Sequence, residues 1–249
     1  MAKVGIIGGS GLEDPSILKN PDTVELDTPY GDPSSVLTTG KIYDTEVVIL
    51  SRHGKKHTIP PSQVNNRANI YALHHMKCDY IITSTACGSL REEIGRGDLV
   101  LLDQFIDFTR HRKVSFYESF EPGDMKHVTM ADPFSETIRN KLIESAKELE
   151  IKYHPRGTVI TIEGPRFSTR AESRMFQSWG ADVINMSIAP EAILANELGI
   201  DYATIAMSTD YDCWHEEEEP VSWQQILEIF NHNVHNVLNL MLKTLPKLE

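Results

Sequence analysis

The chain has 249 residues and carries 24 Lys and Arg against 36 Asp and Glu, which gives a formal net charge of −12 at pH 7. Its composition of 40% hydrophobic, 24% charged and 8% aromatic residues is typical of a globular protein and excludes collagen, coiled coils and disordered chains. A net negative surface repels nucleic-acid phosphates, so we expect no nucleic-acid partner.

Short segments rich in Val, Ile and Thr, bounded by turn residues, predict the strands. In chain order they are 3–7, 36–39, 46–50, 80–84, 98–105, 158–162, 182–186 and 202–208. Several of them are apolar throughout, which is typical of strands that are covered on both faces of a sheet.

Helical patterns lie between these strands, at 64–76, 133–149, 169–179 and 190–198. The second of them is predicted to begin with Asp132 as its cap and Pro133 in its first turn. A last helix begins at a capping box formed by Ser222 and Gln225, and its apolar stripe continues to Leu245.

The alternation of strands and helices predicts an α/β sandwich, and no linker or repeat divides it, so we expect a single domain over residues 1–249. The irregular stretch 107–131 is interpreted as an insertion or an interface segment.

We expect a cytoplasmic protein without membrane contact, because no stretch approaches the ~20 apolar residues of a membrane helix and the first apolar run is too short for a signal peptide. The cysteines, which form no Cys-x-x-Cys pair, also favour a reducing compartment: Cys78, Cys87 and Cys213.

A glycine-rich turn, Gly8-Gly9-Ser10-Gly11, follows the first strand. Such a turn lets backbone N–H groups approach an anion, and Ser10 adds a hydroxyl. The dinucleotide-binding pattern is broken at Asp14 and no Gly-Lys-Ser/Thr follows, so an NAD site and a P-loop are both disfavoured. A tight structural turn is the alternative interpretation.

Two further strand ends carry groups that suit an anion. Arg52 and His53 follow the strand that ends at residue 50, and the guanidinium of Arg52 matches phosphate oxygens in geometry. At the end of the strand 80–84, Thr85 offers a hydroxyl and Ala86 a backbone N–H. Convergence of several strand ends is typical of a ligand site in an α/β sheet, although the basic loop alone also fits a solvated surface.

An acidic pair, Asp210 and Asp212, follows the strand 202–208 and suits hydrogen bonds to a heterocycle or a metal ion. Cys213 and His215 lie close in sequence, but no second ligand pair has the spacing of a zinc site, so we expect no metal. No nucleophile elbow and no local signature of a catalytic cysteine is present.

Five segments in order along the chain resemble the trimer-type purine nucleoside phosphorylase family, and the resemblance runs from about residue 3 to the last helix. They are Gly8-Gly9-Ser10-Gly11-Leu12, Ser51-Arg52-His53-Gly54, Glu163-Gly164-Pro165-Arg166-Phe167-Ser168, Asn185-Met186-Ser187 with Pro190-Glu191, and residues 206–214. The resemblance implies a three-layer α/β/α fold around a mixed, partly barrel-like central sheet, assembled as a homotrimer or a dimer of trimers.

The resemblance also implies the activity, which is the phosphorolysis of 5′-methylthioadenosine to adenine and 5-methylthioribose 1-phosphate, a step of purine and methionine salvage. Adenosine is a further candidate substrate. Inorganic phosphate is the co-substrate, and no cofactor is expected. The phosphate positions of the family fall on Ser10, Arg52, His53, Thr85, Ala86 and Ser187.

In the same resemblance Met186 lies against the ribose and Phe167 near the base, while the acidic pair holds the purine. Asp210 would protonate N7 of the leaving base as a general acid. Asp212, as an acceptor, would select a 6-amino over a 6-oxo group, and the 6-oxopurine enzymes of the family carry an asparagine-containing pattern here. The phosphate dianion would stabilise an oxocarbenium-like sugar.

The sequence departs from the family pattern at a few positions. Ser10 and Ser187 stand where relatives often have threonine, and both keep the hydroxyl. Trp223 stands at a position that resembles the pocket for the 5′-substituent, and Ser168 resembles a second specificity position; an outward-packing Trp223 is the alternative. His127 resembles a residue that reaches the site of a neighbouring subunit.

Two other functions remain to be separated from a phosphorylase. A nucleoside hydrolase of the same superfamily would release adenine without phosphate, and Arg52, His53 and Ser187 disfavour it because water needs no anion-binding residues. A nucleotide-sensing module would bind the ligand without turnover, and the acidic pair disfavours it.

Overall fold

One mixed sheet of 11 strands forms the centre of the molecule. We describe it from a computed structural model, which covers residues 2–8, 17–216 and 223–248, without the side chains of 223–232. The strands are β1 (Lys3–Gly8), β2 (Lys19–Val24), β3 (Leu37–Ile42), β4 (Thr45–Ser51), β5 (Tyr80–Ser89), β6 (Leu99–Leu101), β7 (Gln104–Phe108), β8 (Tyr153–His154), β9 (Thr158–Ile162), β10 (Val183–Asn185) and β11 (Asp201–Tyr211).

The helices cover the two faces of this sheet. They are α1 (Asn66–His75), α2 (Glu136–Glu148), α3 (Arg170–Ser178), α4 (Ile188–Glu197) and α5 (Trp223–Thr244). Leu73 of α1 and Leu194 of α4 pack into one apolar cluster with Ile81, and Leu142 of α2 packs into a second with Ile82 and α5. Because neighbouring strand residues point to opposite faces, the two clusters lie on opposite sides of the sheet, and the predicted three-layer α/β/α fold is confirmed.

The strand β5 is the point at which the sheet branches. It runs parallel to β1 over residues 80–83 and to β11 over its whole length, while β10 pairs antiparallel with residues 88–89. On the edge shared by β1 and β10, residues 84–87 therefore lie between the two pairings. The sheet is mixed, as predicted, but its described strands do not close into a barrel. A crevice at the carboxyl end of a central strand is a common ligand site in α/β sheets.

Several predicted boundaries differ from the structure. The helix predicted from Asp132 begins at Glu136, because the backbone N–H of Ser135 is held by Tyr202 O and the Ser135 hydroxyl caps the N–H of Ile138. The predicted strand 98–105 is two strands, β6 and β7, and the polar strands β2 and β8 were not predicted. The capping box at Ser222 lies outside the described residues. Among the helices that the structure describes, none is long and apolar enough to cross a bilayer.

Candidate active site

A cavity of about 480 Å³ opens at the carboxyl ends of β4, β5, β10 and β11. It is lined by residues from separate strand ends that the sequence predicted as binding residues. They are Arg52, His53, Thr85, Ala86, Phe167, Ser168, Met186, Ser187, Asp210 and Asp212. The structure therefore brings together residues that are up to 160 positions apart in the chain.

Hydroxyl groups and a helix N-terminus form one part of the cavity. The hydroxyl oxygens of Thr85 and Ser187 lie 3.4 Å apart, and Asn185 Nδ2 donates to Thr85 Oγ1 at 3.3 Å. Ser187 is the N-cap residue of α4, and its side chain makes no capping bond to that helix. Because the backbone N–H groups and the dipole of a helix N-terminus favour negative charge, this part of the cavity suits a phosphate.

Arg52 is the cationic group of this part of the site. It follows β4 directly, lines the cavity and is only 2% exposed, in contrast to the solvated loop that was the alternative interpretation. Its guanidinium donates to Glu191 on α4 and to the Ser84 carbonyl on β5. The cation is thereby fixed between two elements on which other cavity residues lie.

His53 is a neutral imidazole at ordinary pH. Burial, with a further contribution from the Arg52 cation, lowers its pKa from 6.5 to about 4. Its Nδ1 lies 2.9 Å from Ile59 O, and because a carbonyl can only accept, Nδ1 carries the proton and Nε2 the lone pair. The sequence predicted His53 as a phosphate-binding residue. In this tautomer its second ring nitrogen is an acceptor, which suits the remaining proton of hydrogenphosphate.

A β-bulge presents the acidic pair to the cavity. Ser208 pairs with Cys87 and Asp210 with Gly88, so Thr209 is an extra residue in β11. Asp210 and Asp212 are 9% and 8% exposed, and both line the cavity. The carboxylate of Asp212 accepts from the Ser168 hydroxyl, at 2.8 Å to Oδ1 and 2.6 Å to Oδ2. Two carboxyl groups in a sheltered pocket can act as a proton donor and a hydrogen-bond acceptor for a heterocycle.

An arginine with a buried side chain holds the backbone at Met186, which lines the cavity. Arg112 Nη2 donates to Met186 O at 3.2 Å and to Glu163 O at 2.6 Å, and Nε donates to Glu163 Oε1 at 2.6 Å. Gly164 approaches Met186 so closely that a Cβ at residue 164 would lie 2.5 Å from Met186 Sδ. Phe167, on the same loop, is 52% exposed at the cavity.

Three predicted residues are not brought into this cavity by the described structure. Ser10 lies outside the described residues. Trp223 begins α5, but its side chain is not among those described. His127 is exposed on the segment between β7 and α2, where its ring contacts Phe120 at 5.7 Å between centroids, and it does not line the cavity of this chain.

Sequence reasoning missed several residues that support the site. Thr209 and Asn185 stand inside segments that carried the family resemblance, but nothing local indicated their contacts. Glu191 was quoted with Pro190 in the resemblance but was given no role, and its partner Arg52 lies 139 residues away. Arg112 lies in a stretch that the sequence left irregular. Each of these contacts joins distant parts of the chain, so only the folded arrangement reveals them.

Comparisons with known proteins place the chain in a family. The sequence profile described as "Phosphorylase superfamily" matches residues 3–246. The S-methyl-5′-thioadenosine phosphorylase of Xenopus tropicalis is 54% identical over 99% of this chain and 89% of its own length, and that of Danio rerio is 50% identical with the same coverage. The crystal structure of the methylthioadenosine phosphorylase from Schistosoma mansoni with adenine matches with a TM-score of 0.92 and 42% identity, over 99% of this chain and 91% of that one.

Proposed function

The chain belongs to the phosphorylase superfamily, and on that premise we propose that it splits 5′-methylthioadenosine with inorganic phosphate into adenine and 5-methylthioribose 1-phosphate. One observation carries the proposal, namely that an anion-binding set and a pair of carboxyl groups share a single cavity. Adenosine is a second substrate in this proposal, which is supported by a 41% identical Schistosoma mansoni mutant, named an adenosine/methylthioadenosine phosphorylase and solved with methylthioadenosine, with a TM-score of 0.91 over 99% of this chain and 91% of that one.

Phosphate binds between the Arg52 guanidinium, the Thr85 and Ser187 hydroxyls and the N-terminus of α4. Arg52 supplies charge and paired donors, and the hydroxyls orient the remaining oxygens. The backbone N–H of Ala86 and the neutral ring of His53 complete the set, and the family resemblance adds Ser10. This arrangement holds hydrogenphosphate, which is a weak nucleophile, in position for attack.

The reaction breaks the bond between C1′ and N9 and forms a bond between C1′ and a phosphate oxygen. Departure of the base runs ahead of attack, so the sugar becomes oxocarbenium-like. The phosphate dianion beneath it stabilises that positive charge in a cavity from which much water is excluded. Met186 supports the ribose, and Phe167 covers the base.

The electron pair of the broken bond passes to the purine, which must be protonated to leave as neutral adenine. Asp210 gives its proton to N7 as general acid, and Asp212 accepts from the 6-amino group. A 6-oxo purine would bring an oxygen against this carboxylate, so the site selects aminopurines. Ser168, which holds Asp212, and Trp223 are the proposed specificity positions.

In this scheme phosphate is the nucleophile and Asp210 the acid, so the reaction calls for no cofactor and no metal.

We propose a homotrimer or a dimer of trimers in which His127 reaches a neighbouring site. Exposed apolar side chains on the same segment support contact with another copy: Phe120 at 44%, Met125 at 67% and Val128 at 41% exposure. The three free thiols support a cytoplasmic location.

A substrate panel with and without phosphate tests the proposal. The dialysed enzyme should release adenine only when phosphate is added, with 5-methylthioribose 1-phosphate formed in equal amount. Adenine release at the full rate in phosphate-free buffer would indicate a hydrolase instead.

Asp210→Asn should lower turnover by about 10² or more while adenine still binds. Asp201→Asn, at the exposed start of the same strand, is the matched control and should keep the wild-type rate. Binding without turnover in the wild type would indicate a sensor.

A further inference from the structure

Arg52 is held by a carboxylate that lies behind the cavity. Arg52 Nε donates to Glu191 Oε1 at 2.5 Å and Nη2 donates to Oε2 at 3.0 Å, while Nη1 donates to Ser84 O at 2.9 Å. The two side chains are 3% and 0% exposed. These three bonds fix the plane of the guanidinium by restricting rotation about the Cδ–Nε bond. A guanidinium binds phosphate well only when its planar donors are aligned with the oxygens.

A chain of hydroxyl groups points at the same carboxylate. Tyr202 Oη donates to Glu191 Oε2 at 2.8 Å. Since that bond uses the only proton of the phenol, Thr83, at 3.0 Å, donates to Tyr202, and Thr204, at 2.8 Å, donates to Thr83. Burial and the Glu191 charge raise the pKa of Tyr202, so the phenol keeps its proton. Hydrogen bonds aligned in one direction strengthen one another and hold the carboxylate still.

The position of Glu191 connects this network to a second predicted phosphate residue. Ser187 is the N-cap residue of α4 and Glu191 stands four residues later, so both lie on the same side of the first turn. The first turn of one helix therefore carries both the Ser187 hydroxyl, which is predicted to bind phosphate, and the Glu191 carboxylate, which holds the Arg52 guanidinium. A buried ion pair often contributes little to folding stability compared with apolar side chains of similar volume, so stability alone does not account for this arrangement.

We propose that Glu191 is a positioning residue for phosphate, which fixes the Arg52 guanidinium for binding the anion and is itself held by Tyr202. The inference rests on the proposed phosphorolysis and adds a role to a residue that touches neither substrate. In Glu191→Gln an amide NH₂ replaces one acceptor oxygen and faces a guanidinium N–H. One of the two bonds to residue 191 is therefore lost, and the guanidinium rotates out of the orientation that Glu191 fixes.

The test is the Michaelis constant for phosphate measured separately from that for the nucleoside. Glu191→Gln should raise the phosphate KM by at least about 10-fold, as expected for a lost hydrogen bond between charged groups, and change the nucleoside KM by less than about 2-fold. Glu191→Asp keeps the charge and should recover part of the phosphate affinity. Tyr202→Phe, which leaves the carboxylate and removes one donor, should raise the phosphate KM by about 2- to 5-fold.

Glu136→Gln is the matched control, because Glu136 lies in the first turn of α2, as Glu191 lies in the first turn of α4, but it is exposed where Glu191 is buried. It should leave both constants unchanged. Should Glu191→Gln fail to fold, Tyr202→Phe decides the question. An unchanged phosphate KM in a folded variant, or an equal rise in both constants, overturns the positioning role. Wild-type turnover that needs no phosphate would instead refute the proposed function.

Discussion

The hydroxyl of Ser168 offers a sharp test of how the purine end of the cavity is organised. Its oxygen lies 2.8 and 2.6 Å from the two carboxylate oxygens of Asp212, and Asp212 is only 8% exposed. Ser168→Ala removes this bond and leaves a sheltered carboxylate less well held. A hydrogen bond to a charged group contributes about 1.5–3 kcal/mol, which corresponds to a change in binding of roughly 10- to 150-fold.

We expect Ser168→Ala to raise the nucleoside KM by about 10-fold, the lower end of that range, because water can enter the open cavity and replace part of the bond. The phosphate KM should not change, because Ser168 has no contact with Arg52 or the hydroxyl pair. Initial rates of adenine release, measured over a range of nucleoside concentrations at saturating phosphate, give the constant.

Two further variants make this measurement decisive. Ser168→Thr keeps the hydroxyl and should recover most of the affinity. Ser178→Ala changes an exposed serine at the end of α3, and it should behave as the wild type. A nucleoside KM within about 2-fold of the wild type in Ser168→Ala would refute the idea that this hydroxyl orients Asp212 for the purine.

Three other predictions follow from the site. Asp212→Asn exchanges an acceptor for a group that can donate, so the ratio of inosine to adenosine turnover should rise in a substrate panel. Arg112→Met removes the bonds to Glu163 and to Met186 O, and the nucleoside KM should rise by about 10-fold while the phosphate KM stays constant. His53 has a pKa of about 4 in the folded chain and 6.5 as its ordinary value, so the unfolded chain binds the extra proton between these pH values. Stability should therefore fall as the pH drops from 7 to 5, by about 2 kcal/mol more in the wild type than in His53→Asn, measured by urea unfolding at both pH values.

Local patterns predicted the elements that have strong local signals. The apolar runs at β1, β4 and β9 were predicted within a residue or two, because strands covered on both faces leave a continuous hydrophobic signal. The polar strand β2 leaves no such signal. It forms because its backbone pairs with β3, and five of its six residues are exposed. The extension of β5 to Ser89 depends on pairing with β11 and, at its last two residues, with β10, and both strands lie far along the chain.

The residues of the candidate site also divide into those with a local sequence signal and those whose role depends on distant contacts. Residues at the predicted strand ends, such as Arg52 and Thr85, could be identified because parallel strands bring their carboxyl ends to one edge. The charge state of His53 could not be predicted, since it depends on burial and on the Ile59 carbonyl. Glu191 in a helical pattern is indistinguishable from a surface glutamate until the fold brings Arg52 to it.

The bulge in β11 also places the Thr209 hydroxyl beside the carboxyl group of Asp210. Its hydroxyl lies 2.7 Å from Asp210 Oδ1 and 3.2 Å from Cys87 O, and Thr209 is 1% exposed. In the proposed mechanism the single proton points to the Cys87 carbonyl while Asp210 is the acid and turns to Oδ1 once Asp210 has given its proton to N7. Thr209 would then stabilise the carboxylate that forms.

Thr209→Val keeps the branched shape and removes this donor. We expect kcat to fall by about 10-fold with little change in either KM, because the missing hydrogen bond is one that forms to a charged oxygen only after proton transfer. Thr209→Ser keeps the hydroxyl and should restore most of the rate. Single-turnover measurements of adenine formation would separate the chemical step from product release. If the valine and serine variants were equally slow, packing at the bulge rather than the hydroxyl would govern the rate, and Asp210 would depend on the shape of β11 alone.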